Sequence, residues 1–210
     1  MKINYNGLST EKPDFNRPKP YFAIHQARVD MLEGLEKDFE NLVIIGNGGS
    51  VTSFRALSYA FRDQHDKNVE IVTTMEPGYL NHLDRAMRTE DTLVMPISKS
   101  GNTTGVIEST LFFMNRGYEI LPLTSRGGLL QQIAEKRDLE IIEHPDIGGR
   151  FTGLSETALA PAAFLGLDVD EIFEKGREAQ EKFWEGNEAL EMASALYSAE
   201  KQGYSEVMLG

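Results

Sequence analysis

From Asn41 onward the chain alternates two patterns. Short apolar runs, NLVIIG, VEIVTT, DTLVMPIS, YEILPLT and LEIIEH, are separated by longer segments whose apolar residues recur at helical spacing. The runs are apolar at successive positions, as expected of strands covered on both faces. The segments between them predict helices over Ser50–Arg62, Pro77–Arg88, Thr103–Arg116 and Gly128–Lys136. Strands alternating with helices in this way predict an α/β fold: a doubly wound, five-stranded parallel sheet with right-handed crossovers.

The flanks differ. The first 20 residues are rich in proline and polar side chains and read as an arm; Tyr21–Lys37 has helical spacing, with Phe22, Val29, Leu32 and Leu35 on one face. Past His144 the strand pattern stops. A glycine-rich turn is followed by helices, then by a helix over Glu188–Gln202 and a closing strand, YSEVMLG. The expected division is an arm (1–20), a main domain (21–187) with additional C-terminal helices, and a terminal helix and strand (188–210). NLVIIG and SEVMLG both read as strand-then-glycine. The second is either an edge strand of the sheet or the first strand of another doubly wound unit. Phe173, Phe183, Trp184, Met192 and Tyr197 read as packing faces of the C-terminal helices.

Length and composition narrow the classes. A chain of 210 residues, 40% hydrophobic and 26% charged, is long enough to bury a core. No apolar run reaches the roughly 18 residues of a membrane span, and MKINYNGLST lacks the apolar centre of a signal peptide. Cysteine is absent, so there is neither a disulfide framework nor a thiolate metal site, which fits a cytoplasmic protein. The net charge of −12 argues against a nucleic-acid surface. A small anion is not excluded, since salt screens distant charges beyond about 8–10 Å.

Three stretches carry candidate chemistry. In VIIGNGGSVTSFRAL a strand, a glycine-rich turn and a helix follow one another, so that helix N–H groups can face an anion. Gly48 and Gly49 permit close approach and Ser50 adds a hydroxyl; Ser50 as a simple helix cap is an equal reading. The glycines stand at 46, 48 and 49 rather than in a G-x-G-x-x-G spacing, and the second strand ends in Thr73 and Thr74 rather than an acid, which argues against a dinucleotide. In ISKSGNTTGVIEST, Ser98, Ser100, Asn102 and Thr103, with Lys99, again join a strand to a helix. All C-terminal strand ends of a parallel sheet share one edge, so these two loops lie together, and one cap needs only one hydroxyl. A phosphate cradle is the favoured reading and capping the alternative. In GGRFTGLSETALAPAAFLGLD, Arg150 follows a glycine pair on the same edge, either to stabilise developing negative charge or to pair with an acid such as Asp146. The histidines at 25, 65, 82 and 144 show no metal-ligand spacing and read as surface or hydrogen-bonded residues.

Taken in order, these motifs resemble the phosphoglucose isomerase family, which is built from two sugar-isomerase (SIS) domains. GNGGS is similar to that family's GIGGS, SKSGNTTGV to SKSGTTTET, TTMEPGYL to a TN.DP.YL segment, and GGRFTGLSETALAPAAFLGLD to a GGRFS motif of about twenty positions. The likeness runs from about Asn41 to Phe173. It implies an SIS-type, flavodoxin-like domain, the N-terminal one of the two, and interconversion of glucose 6-phosphate and fructose 6-phosphate through an enediolate, without metal or cofactor. It implies Gly49 and Ser50 at the sugar-phosphate site, and Ser98, Lys99, Ser100, Asn102 and Thr103 in the phosphate loop. Arg150 falls at the arginine that stabilises the enediolate. A homodimer, or docking to a second SIS domain, is the expected assembly. The departures are Asn47 for Ile, Asn102 for Thr, and Gly105-Val106 for Glu-Thr. The family's ESNGK-like segment, which carries its proton-shuttling glutamate, and its later histidine and lysine segments have no match in these 210 residues. The expectation is a chain that binds sugar phosphate and, alone, barely isomerises it.

Overall fold

The computed structural model describes residues 7–11, 39–183 and 187–204. The helix expected over Tyr21–Lys37, the closing strand and Trp184 lie outside the described residues. The chain divides into two compact units, Tyr21–Ile172 and Met1–Pro20 with Phe173–Gly210.

In the first unit, β1 (Asn41–Ile45), β2 (Asn68–Val72), β3 (Thr92–Ser98), β4 (Glu119–Ile120), β5 (Leu123–Thr124) and β6 (Ile142–Glu143) form one parallel sheet. Its order is β2-β1-β3-β5-β6, with β4 also on β3. The helices are α1 (Gly49–Ala60), α2 (Pro77–Ala86), α3 (Thr104–Met114), α4 (Leu129–Lys136) and α5 (Glu156–Phe164), followed by α6 (Val169–Phe183), which runs across the division. Five strand positions were expected, and β4 and β5 share one of them. They pair with β3 in a single register, Leu93 with Glu119 and Ile97 with Leu123. That register sets Pro96 opposite Pro122. Pro96 has no N–H to give to this ladder, so YEILPLT splits in two, while Pro122 faces β6, where its carbonyl accepts the Ile142 amide (2.9 Å).

Every residue of β1 and β3 is buried, as their unbroken apolar character predicts. Val43, Ile45 and Val94 point to one face. There they pack with Leu80 and Leu83 of α2, Val106 and Phe113 of α3 and Leu130 of α4. The alternate residues, such as Leu42, Ile44, Leu93 and Met95, turn to the other face. There α1 packs along α5, and both reach the sheet. Phe113 is fully buried and meets the rings of Phe112 and Tyr118 edge-on, each at 5.2 Å.

In the second unit, α7 (Glu188–Lys201) starts at Asn187, whose side chain accepts the Leu190 amide at 3.0 Å. It buries Leu190, Ala195 and Ala199. Tyr197, expected in a packing face, is 45% exposed and lies under the Lys201 ammonium. Among the described residues no helix is long and apolar enough to cross a membrane.

Candidate functional site

The chain leaves β1 for β2 on one side and enters β3 on the other. β1 and β3 are therefore neighbours whose following loops diverge, which is where open α/β sheets leave a crevice. The turn after β1 is tight. Gly46 donates its amide to Val72 O (3.1 Å), and Gly48 takes φ 57°, a conformation that favours glycine. α1 then starts at Gly49 with no side-chain cap. Ser50 stands inside the helix, so the reading of Ser50 as a cap is corrected. The Asn47 amide, with its nitrogen toward the Gly46 and Thr73 carbonyls (3.2 and 3.1 Å), ties the turn to the end of β2.

The loop after β3 is organised by its own hydroxyls. Ser98 Oγ accepts the Gly101 amide (3.2 Å) and lies 3.2 Å from Thr103 Oγ1, while Ser100 Oγ accepts the Asn102 amide (3.2 Å). Thr103 occupies the N-cap position of α3 but does not cap it through its side chain. The plain capping alternative thus fails at both helix starts. The first-turn N–H groups of α1 and α3 receive no side-chain oxygen from their caps, the condition under which such an end receives an anion. Asn102 faces elsewhere: its Oδ1 accepts the Leu129 amide (3.0 Å) at the start of α4.

Glycine pairs brace both loops. A Cβ on Gly49 would strike the backbone of Gly149 and Arg150, and one on Gly149 would crowd the Ser50 amide. A Cβ on Gly128 would strike the Ser100 carbonyl oxygen and the Gly101 Cα. In this way the GGR turn is pressed onto the start of α1, and the turn before α4 onto the loop after β3.

Between these loops lies a cleft of about 390 Å³. It gathers Ser50, Ser98, Lys99, Ser100 and Thr103 from the expected set, over Ile97 and Val106. Gly49, Asn102 and Arg150 are not among its lining residues. Gly49 lies against the Arg150 backbone, and the Arg150 side chain is exposed. The cleft also takes in Asn47, Ser125 and Asp146, which the sequence reading did not place in it. Ser125 follows β5 directly, so the strand-end rule used for the other loops was the signal that pointed to it.

Lys99 Nζ meets Asp146 Oδ1 at 2.9 Å, so it is Lys99, not Arg150, that Asp146 pairs with. Hydrogen bonding to Lys99, and then its charge, hold the Asp146 carboxyl below the usual carboxylate range. His144 is neither a surface residue nor fully hydrogen-bonded, contrary to expectation. It is 2% exposed, its Nδ1–H donates to Pro145 O (2.7 Å), and its Nε2 is buried without a partner among the described residues. Burial lowers its pKa, and the Lys99 charge adds to that against Pro145 O, Glu156 and Asp146. His65 likewise buries both ring nitrogens without partners among the described residues. Among the described residues no cluster of three or more His, Asp or Glu could hold a metal ion.

No family model matches the chain. It is 31% identical over 153 residues to the glucose-6-phosphate isomerase of Thermus thermophilus, covering 68% of this chain and 37% of that protein. It is 30% identical over 225 aligned positions to the glucose-6-phosphate isomerase of Mycoplasma mycoides, covering 97% and 53%. Among solved structures, a hypothetical protein of Thermus thermophilus superposes with a TM-score of 0.69 at 26% identity, over 80% of this chain and 44% of that one. The chain belongs to the phosphoglucose isomerase family. It spans between 37% and 53% of the length of these two curated relatives. The SIS-type fold expected of the phosphoglucose isomerase family is the one observed, a parallel doubly wound sheet with helices on both faces.

Proposed function

We propose that this chain holds the phosphate of glucose 6-phosphate or fructose 6-phosphate in the cleft between β1 and β3, as part of an aldose–ketose isomerisation. One observation carries the reading: two helix starts, neither capped by a side chain, border one cleft lined by Ser50, Ser98, Ser100, Thr103 and Lys99. Charge-assisted hydrogen bonds contribute roughly 1.5–3 kcal/mol each, so a few of them suffice to hold a dianion. The sugar would lie toward Arg150, whose guanidinium would stabilise the enediolate formed when a proton moves between the first two sugar carbons.

That proton transfer needs a base of near-neutral pKa within reach of both carbons. Among the described residues lining the cleft the only carboxylate is Asp146. Paired with Lys99 and lowered in pKa, it is a poor base. The base in this reading is a group outside the described residues. The same observation favours a second reading, a non-catalytic SIS module that binds sugar phosphate.

Calorimetry with fructose 6-phosphate and a coupled isomerase assay on the same chain separate the two. Binding that Ser98→Ala and Thr103→Ala both weaken, with little turnover, is the expected result for the chain alone. Strong turnover abolished by Glu156→Gln would place the base inside the chain. Absence of binding, or binding indifferent to both hydroxyl variants, would refute the cleft as the phosphate site.

A further inference from the structure

Asp146 is the one feature of the cleft that a phosphate site would not be expected to include. Its carboxylate lines the same space as the hydroxyls and holds Lys99 Nζ at 2.9 Å. The two residues come from strands that are not neighbours, because β5 lies between β3 and β6. The pair therefore bridges the end of β5, above Ser125. Ser125 is tied to both sides: its amide donates to Lys99 O (3.3 Å) and its hydroxyl to His144 O (3.4 Å). The segment bearing Asp146 is anchored in turn. The His144 amide donates to Thr124 O (3.0 Å), and its buried ring donates to Pro145 O. A fixed backbone thus delivers a carboxylate to the cation of the cleft. As a brace it does little, since the Asp146 side chain is 99% and the Lys99 side chain 41% exposed, and exposed ion pairs add little to stability.

We propose that Asp146 is an internal competitor for Lys99, occupying the ammonium in the empty cleft and yielding it to the phosphate of the ligand. Asp146 then sets affinity: a ligand must displace it, and the released carboxylate favours the ligand's departure. The inference rests on the proposed phosphate site and assigns to it a residue that limits how tightly it binds.

The test is a double-mutant cycle read by calorimetry, with fructose 6-phosphate as the probe and the full chain as the protein. Asp146→Asn keeps the shape of the side chain and removes its charge. It should bind about two- to fivefold tighter at low salt, with the gain shrinking as ionic strength rises. In a Lys99→Gln background the same change should alter affinity by less than about twofold, since nothing remains to compete for. If the wild-type chain binds and Asp146→Asn binds no tighter, the competition is refuted while the phosphate site stands. A gain that persists in Lys99→Gln also refutes it, because Asp146 would then act by simple repulsion. If none of the four proteins binds the probe, the phosphate site itself is wrong and this inference falls with it.

Discussion

The turns after β1 and β3 have the same topological place and opposite construction. Each joins a buried central strand to a helix that no side chain caps, and each is pressed against a later turn through a pair of glycines. The turn after β1 contributes backbone: Gly48 and Gly49 bring α1 up to the GGR turn, and Ser50 is its one hydroxyl in the cleft. The loop after β3 contributes side chains, and its hydroxyls hold one another and the backbone in place. A helix terminus alone is a weak anion site. A rigid backbone turn beside a prearranged set of hydroxyls is a stronger one, because less ordering is left to occur on binding.

The glycine braces offer the largest effects. Gly49→Ala and Gly128→Ala each drive a Cβ into backbone, and overpacking of this kind costs about 1–3 kcal/mol. Chemical denaturation should show both losses. Sugar-phosphate affinity should fall in both, and a normal affinity in Gly49→Ala would mean that the turn after β1 is dispensable.

Ser98→Ala should come next. It removes one of the two acceptors of the Gly101 amide, which keeps the Ser98 carbonyl (3.2 Å), and the partner of Thr103, at about 0.5–1.5 kcal/mol of stability for each of the two bonds. Ser50→Ala, on the other loop, should leave stability within about 0.5 kcal/mol, as for substitutions that break no structural bond. Both should weaken phosphate binding. Equal stability losses would erase the distinction between a loop that supplies backbone and one that supplies side chains.

Asn102→Ala sharpens the contrast within the second loop. It removes the oxygen that receives the Leu129 amide, and losing a bond of this capping kind costs about 0.5–2 kcal/mol. Because Asn102 does not line the cleft, sugar-phosphate affinity should stay within about twofold. A large loss of affinity would return Asn102 to the binding set.

The smallest expected effect is a pH dependence. His144 has a folded pKa below its ordinary 6.5, with burial as the main cause. The unfolded chain then binds the proton first, so this contribution to stability is complete above pH 6.5 and is lost as pH falls below it. Thermal melts between pH 7.5 and 5, a span of roughly one ordinary histidine titration, should show the midpoint falling on the acid side. His144→Gln should flatten that fall. A slope unchanged in His144→Gln would assign it to other groups.

Much of this was legible in the sequence, and for physical reasons. Short apolar runs such as NLVIIG and DTLVMPIS, alternating with helical segments, suit strands covered on both faces, so the parallel sheet followed from them, and with it the shared edge of the loops after β1 and β3. Five of the expected site residues, Ser50, Ser98, Lys99, Ser100 and Thr103, follow directly from that rule. The tertiary structure decided the rest. Which carboxylate reaches Lys99 depends on β6 lying two strand positions from β3, a spacing that composition does not carry. The use of Asn102 to receive the Leu129 amide, rather than to line the cleft, depends on Gly101 and Gly128 meeting backbone to backbone. The split of YEILPLT depends on Pro96 of β3, which has no N–H to donate, falling opposite its middle in register. A chain determines its periodicity by itself, but contacts between distant segments exist only once the sheet has brought its strands side by side.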